Sequence, residues 1–104
     1  MNVSDAFQVF LTQTPEHAKA WMEAVKGLDE ASALDEKTGE IAYIAVLSAL
    51  RMTSGIPFHV ASAKKLGVTR EEIASAVLVG LPAVGNAATQ ALPVALQAWD
   101  QAEA

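Results

Sequence analysis

The stretch EIAYIAVLSALRMTSGIPFHVASAKKLG, residues 40–67, determines the fold expected for this chain. Its first eleven residues are apolar almost all round a helix and show no strand-like alternation, which is typical of a helix in a core or an interface. A turn is expected near Met52 and Thr53. A second helix should start near Ser54, as its N-cap, and end at Gly67, a residue suited to a helix C-terminus. The stretch therefore predicts an antiparallel helix hairpin.

Helix-initiation signals recur in the residues before this hairpin. Ser4 is the expected N-cap of a short helix over residues 4–12. Thr14 followed by Pro15 is typical of an N-cap and the first position of a second helix. Asp35 should cap the first helix of the hairpin, which we extend to about residue 51.

The residues after the hairpin predict two more helices. Thr69 and Glu72 have the spacing of a capping box directly before an apolar run. Residues 80–82, Gly-Leu-Pro, should end that helix, and a last helix is predicted from about 83 to 102. Pro93 should kink or break it near residues 89–92. Residues 1–104 are thus predicted to form one all-α domain, a bundle of about six helices around the central antiparallel hairpin.

Composition excludes several classes of function. The chain has 104 residues, of which 52% are hydrophobic, and a net charge of -5. A chain this short buries only about two thirds of its unfolded surface, so part of the apolar excess is expected at a subunit interface. Scattered cations on an acidic chain argue against nucleic acid binding. The absence of cysteine excludes thiol catalysis, disulfides and Cys-ligated metals.

The sequence lacks the patterns that indicate secretion, membrane insertion or cofactor binding. The N-terminal MNVSDAFQVF has no cationic start before an apolar core, so no signal peptide is predicted. The apolar run in residues 40–50 is too short to span a membrane. A cytoplasmic protein without membrane contact is expected. Two distant histidines and the segment GLPAVG match no metal-binding or phosphate-binding motif, so no metal and no cofactor are predicted.

Glu40 and His59 are the candidates for chemistry. In the predicted hairpin their axial offset is about five residues, or roughly 7 Å, which two side chains or one water could bridge. A carboxylate beside an imidazole holds its tautomer and raises its basicity, as acid/base catalysis requires. The alternative remains open that His59 is a packed residue and Glu40 a first-turn acid favoured by the helix dipole. His17, the other histidine, is interpreted as a surface residue.

The segments LDEKTGEIAYIAVLSA, FHVASAKKLGVTREEIASAVLVG and LPAVGNAATQAL resemble the carboxymuconolactone decarboxylase and alkylhydroperoxidase D-like superfamily. The resemblance covers roughly residues 30–100. It implies an all-α, alkylhydroperoxidase D-like hairpin bundle that assembles into trimers or hexamers.

The peroxidase branch of that superfamily carries a glutamate, a C-x-x-C pair and a histidine. By resemblance the glutamate corresponds to Glu40 and the histidine to His59, whereas the two cysteine positions correspond to Met52 and Gly55. A thiol peroxidase acts through a thiolate, and methionine cannot cycle through a disulfide. Peroxidase activity is therefore not expected.

The decarboxylase branch needs no cysteine, and its resemblance implies a decarboxylase or lyase type of reaction. That branch carries an acidic residue and an arginine just before the histidine, at positions that here are Gly55 and Pro57. Its substrate is a dicarboxylate lactone, which requires cations. Arg51 and Lys64 are the nearest candidates in the sequence.

Two functions fit this sequence. In the first, His59 is a general acid or base oriented by Glu40 and acts on a small lactone or carboxylic acid in an apolar pocket between subunits. Met52, Phe58 and Arg51 would bind the substrate, with Trp21 or Trp99 near. In the second, the protein is a non-catalytic oligomeric scaffold or a small-ligand-binding protein, and the pair is structural.

Overall fold

A computed structural model of the chain describes residues 3–103, which form only helices and their connections. Six α-helices have nine residues or more, in agreement with the predicted bundle of about six, and α6 is a single turn. The helices are α1 (Asp5–Gln13), α2 (Pro15–Ala31), α3 (Glu36–Ala49), α4 (Ile56–Lys65), α5 (Arg70–Leu78), α6 (Leu81–Val84) and α7 (Leu92–Gln101).

Three of the predicted N-caps form as expected. The Ser4 hydroxyl accepts the backbone N–H of Phe7, and Asp35 Oδ1 accepts that of Thr38 at 2.7 Å. Thr69 starts α5 with a complete capping box. Each cap satisfies a backbone donor that has no partner within its own helix.

Thr14 is the N-cap residue of α2 and Pro15 lies in its first turn, as predicted. The Thr14 hydroxyl makes no cap bond to α2, however; it donates to the Phe10 carbonyl at 2.6 Å and so closes α1. One predicted cap is wrong. Ser54 does not cap α4, because residues Thr53–Gly55 form a 3-10 turn and Gly55 directly precedes the helix. Helix α3 also ends two residues earlier than predicted, at Ala49.

The predicted last helix is interrupted, as its proline suggested. Residues Gly85–Ala91 are a 3-10 segment, and α7 begins at Leu92 with Pro93 in its first turn. A proline there loses no helical hydrogen bond, because first-turn N–H groups have no acceptor in the helix. Gly85, the first residue of this segment, has a φ of 66°, in the region that glycine adopts without strain.

The core lies between the α3–α4 hairpin, α5 and α7. α5 packs on α3, and α7 packs on both α4 and α5. Helix α3 is apolar almost all round, as predicted, but only one of its faces is buried in the chain's own core, and another apolar face is exposed. The exposed face carries Tyr43, Val46 and Leu50. The core is filled by branched residues and alanines, namely Ile44, Leu47, Ile56, Val60, Ala63, Val68, Ile73, Ala76, Val77, Ala91 and Ala95.

Residues 70–101 form a helical stretch that is long enough and apolar enough to cross a membrane, judged by length and composition alone. The sequence prediction considered only the run in residues 40–50 and missed this one. Its two ends, α5 and α7, pack against each other, so the stretch is not one straight helix. In this fold it therefore doubles back as part of the core.

Helices α1 and α2 form an arm beside the core. They pack mainly against each other, and Ala18 is the one side chain of the two helices that is buried. The apolar face of α2 leaves Trp21 and Leu28 more than half exposed, at 54% and 68%. The arm is thus an amphipathic unit whose apolar side is only partly covered.

Candidate active site

Glu40 and His59 meet directly across the α3–α4 hairpin. His59 Nδ1 lies 3.0 Å from Glu40 Oε2, which is a hydrogen bond without a bridging water. Both side chains are about three-quarters buried, with 25% of His59 and 23% of Glu40 exposed. Of the two predicted ways to bridge the pair, the structure thus shows the direct contact of the side chains.

A short connection joins the two helices that carry the pair. α3 ends at Ala49, and a 3-10 turn at Thr53–Gly55 leads directly into α4. The two helices pack on each other, with Glu40 in the first half of α3 and His59 in the first half of α4.

Two aromatic rings flank the imidazole. The Tyr43 ring centroid lies 4.5 Å from that of His59, tilted by 57°. The Phe58 ring meets the imidazole edge-on at 5.2 Å. Such tilted and edge-to-face arrangements are the favoured geometries of aromatic pairs. The rings limit the rotation of His59 and keep its Nδ1 directed at Glu40.

Tyr43 was missed by the sequence analysis. Its position three residues after Glu40 places both side chains on one face of α3. This spacing is visible in the sequence, but the prediction treated Tyr43 only as one residue of an apolar run. Helical spacing from a candidate acid is thus the signal that could have found it.

The geometry of the pair defines what His59 can do. When the Glu40 carboxylate accepts the Nδ1 proton, the neutral imidazole is held in the tautomer whose Nε2 lone pair is free. Nε2 can then accept a proton from a bound molecule, and Glu40 stabilises the imidazolium that forms. The arrangement is that of an oriented general base.

The pair lies at the molecular surface. Two hollows of the described chain lie elsewhere: one of about 330 Å³ is lined by Pro57, Ala61 and Val94, and the other, of about 540 Å³, lies beside Lys64 and Trp99. Neither includes Glu40 or His59. The half-exposed rings of Tyr43 and Phe58 instead form an open apolar rim beside the pair.

The residues predicted to bind substrate are placed unequally. Phe58 touches the imidazole, and Met52 lies in the hairpin turn with 54% of its surface exposed. Arg51 is exposed just after the end of α3, eleven residues beyond Glu40. Among residues 3–103, no hydrogen bond or ion pair joins Arg51 to either member of the pair.

Lys64 and Trp99 do not belong to this site. Lys64 Nζ donates to the carbonyls of Trp99 and Ala102 at 2.8 and 2.9 Å, and lies 3.9 Å above the Trp99 ring. The Trp99 indole N–H donates to the Val68 carbonyl. Lys64 is therefore occupied at the end of α7, and the sequence expectation that it could serve an anionic substrate is wrong.

The fold and the pair together define an all-α hairpin protein with a carboxylate–imidazole couple between its two central helices. A sequence profile of the carboxymuconolactone decarboxylase family matches residues 15–97, and the chain belongs to that family. Comparison with curated proteins and with solved structures gave no significant match. As the chain contains no cysteine, a member with thiol peroxidase chemistry is not expected.

Proposed function

We propose that this protein is an acid/base enzyme that acts on a small lactone or a related carbonyl or carboxylic acid compound. His59 is the proton-transferring group, and Glu40 orients it. The observation that carries the proposal is the 3.0 Å contact between His59 Nδ1 and Glu40 Oε2. Removal of a proton next to a carbonyl requires such a base, and a positioned one accelerates the step by about 10²–10⁴-fold.

The test is proton exchange in deuterated water, followed by NMR on a panel of small lactones and keto acids. His59→Gln should abolish exchange. Glu40→Gln keeps an acceptor for Nδ1 but removes the charge, and should lower the rate by about 10²-fold or more. His17→Gln, at an exposed histidine on α2, is the matched control and should exchange at the wild-type rate. Undiminished exchange by His59→Gln would reject the assignment.

A second candidate is a non-catalytic, oligomeric or ligand-binding protein. It is favoured by the open position of the pair, outside the two hollows described above. In that case the pair would serve to hold α3 against α4. His59→Ala should then lower the melting temperature by several degrees, while no substrate of the panel exchanges with the wild-type protein.

We also propose that the chain self-associates. The support comes from the partly covered α1–α2 arm and from the exposed side chains of Val46 and Leu50, beside Tyr43 on α3 and after its end. A second copy that covers these surfaces would also enclose the neighbourhood of His59.

A further inference from the structure

The surroundings of His59 combine exposed aromatic rings with the carboxylate of Glu40. Tyr43 and Phe58 touch the imidazole, yet 48% and 44% of their surfaces remain exposed. Aromatic rings bring large apolar area and a preference for stacking with other planar groups. The open faces of these two rings therefore suit a flat molecule.

The charges near the pair argue against an anionic ligand. Glu40 is the acid of the pair, and the lysines of the two helices that lie closest to the pair in sequence are directed elsewhere. Lys37, one turn before Glu40, lies 4.0 Å from Glu72 on α5. Lys64, on α4, is bound to the carbonyls at the end of α7. A dicarboxylate would thus meet the negative charge of Glu40 without the paired cation that such recognition needs.

Building on the proposed function, we infer that the Glu40–His59 site takes a planar, uncharged conjugated carbonyl compound or its enol. The flat face lies against Tyr43 and Phe58, and the acidic proton faces Nε2 of His59. In the proton-transfer step, Nε2 takes the proton from the carbon beside the carbonyl. The electron pair of that C–H bond forms the enolate, and the imidazolium returns the proton to the enolate. Tyr43 contributes as a ring surface and as a positioning residue for the imidazole.

The test measures binding and does not depend on turnover. Phenol, cyclohexanol and benzoate are the probes: phenol is planar and neutral with an O–H, cyclohexanol is equal in size but not flat, and benzoate is planar but anionic. Each is titrated into the protein while the ring signals of His59 and His17 are followed by NMR. His17 lies on α2 and serves as the internal control.

Phenol should shift the His59 signals saturably and bind about fivefold more tightly than cyclohexanol, the factor expected for one aromatic stack. Benzoate should bind more weakly than phenol. Tyr43→Leu should lower phenol affinity by about fivefold, whereas Tyr43→Phe, which keeps the ring, should preserve it. Equal binding of phenol and cyclohexanol, or tighter binding of benzoate, would overturn the inference.

Three further outcomes separate the hypotheses. If Tyr43→Leu dissociates an oligomer and phenol does not bind the wild type, the rings are an interface between copies, and the inference fails. If phenol binds as expected but His59→Gln still exchanges protons, the ligand class stands and the acid/base function fails. If His59→Gln is inactive and phenol shows no preference, only the ligand class is wrong.

Discussion

Among residues 3–103, Arg51 is the one non-glycine residue with a positive φ. Its φ is 59°, in the left-handed region, and its N–H and that of Met52 close α3 on the carbonyls of Ser48 and Leu47. This is a Schellman motif, whose left-handed position is usually occupied by glycine. Arg51→Gly should raise the free energy of unfolding by about 1 kcal/mol, because glycine adopts this φ without strain. Urea unfolding measures the change.

The chain supplies its own matched control for this substitution. α4 ends in the same motif, where Gly67 has a φ of 91° and its N–H and that of Val68 bond to the carbonyls of Lys64 and Ala63. A Cβ on Gly67 would meet no atom within 4 Å, so a side chain there adds backbone strain alone. Gly67→Arg should therefore destabilise the protein by about 1 kcal/mol. Changes of the same sign at both positions would contradict this account.

At the scale of elements, Lys64 fastens α7 to α4. Its ammonium binds two carbonyls at the C-terminal end of α7, where a cation also interacts favourably with the helix dipole, and it lies over the Trp99 ring. Lys64→Met keeps most of the apolar stem and loses these contacts. It should destabilise the protein by about 2 kcal/mol and speed hydrogen exchange in the last turn of α7. Lys65→Met, at the exposed neighbouring position, is the control and should change neither quantity.

The capping box of α5 predicts a pH dependence. The backbone N–H of Thr69 donates to Glu72 at 2.9 Å, and this hydrogen bond lowers the pKa of Glu72 below its ordinary value of 4.5. A lowered folded pKa means that the contribution to stability is complete above pH 4.5 and is lost as the pH falls through the folded pKa. Glu72→Gln keeps an acceptor but does not titrate. Its stability should fall less steeply than that of the wild type below this pH, and parallel curves in urea unfolding would refute the assignment.

The elements show which features a sequence can predict. Ser4, Asp35 and Thr69 cap their helices as predicted, because a cap depends on residues three positions apart. The prediction that Ser54 caps α4 was wrong, since the 3-10 turn that contains Ser54 depends on how the hairpin packs. The role of Lys64 could not be predicted from local patterns, because its partners lie 35 and 38 residues away in the chain.

At the candidate site, too, some features could be predicted from the sequence and others could not. The sequence identified Glu40 and His59 as a possible pair because they lie twelve residues before and seven residues after the predicted turn, an offset that two side chains can span. Their direct contact without a bridging water depends on how the side chains pack between α3 and α4, which residue counting does not include. The spacing of Tyr43 from Glu40 places both on one face of α3, but the stacking of Tyr43 on His59 depends on the packing of the two helices and became visible only in the structure.

At the scale of the whole molecule, the chain exposes more surface than its mass requires. A compact monomer of 10.9 kDa exposes about 5,600 Å². The chain exposes 6808 Å², and its radius of gyration of 14.0 Å exceeds the roughly 12.8 Å of a compact domain of this length. The excess of about 1,200 Å² is larger than the roughly 800 Å² that each partner buries in a standard interface. An excess of this size is the area that the proposed self-association through the α1–α2 arm and α3 would require.

Leu28 provides the test of that assembly, because it lies on the apolar face of α2 with 68% of its surface exposed. A buried carboxylate without a partner is costly, so Leu28→Glu should dissociate the oligomer, as measured by sedimentation velocity. Ala20→Glu adds the same charge to the polar face of the same helix and should leave the assembly intact. Since Leu28 makes little contact with its own chain, the circular dichroism of Leu28→Glu should remain helical. A wild-type protein that sediments as a monomer at all concentrations would show that the exposed apolar faces have another use.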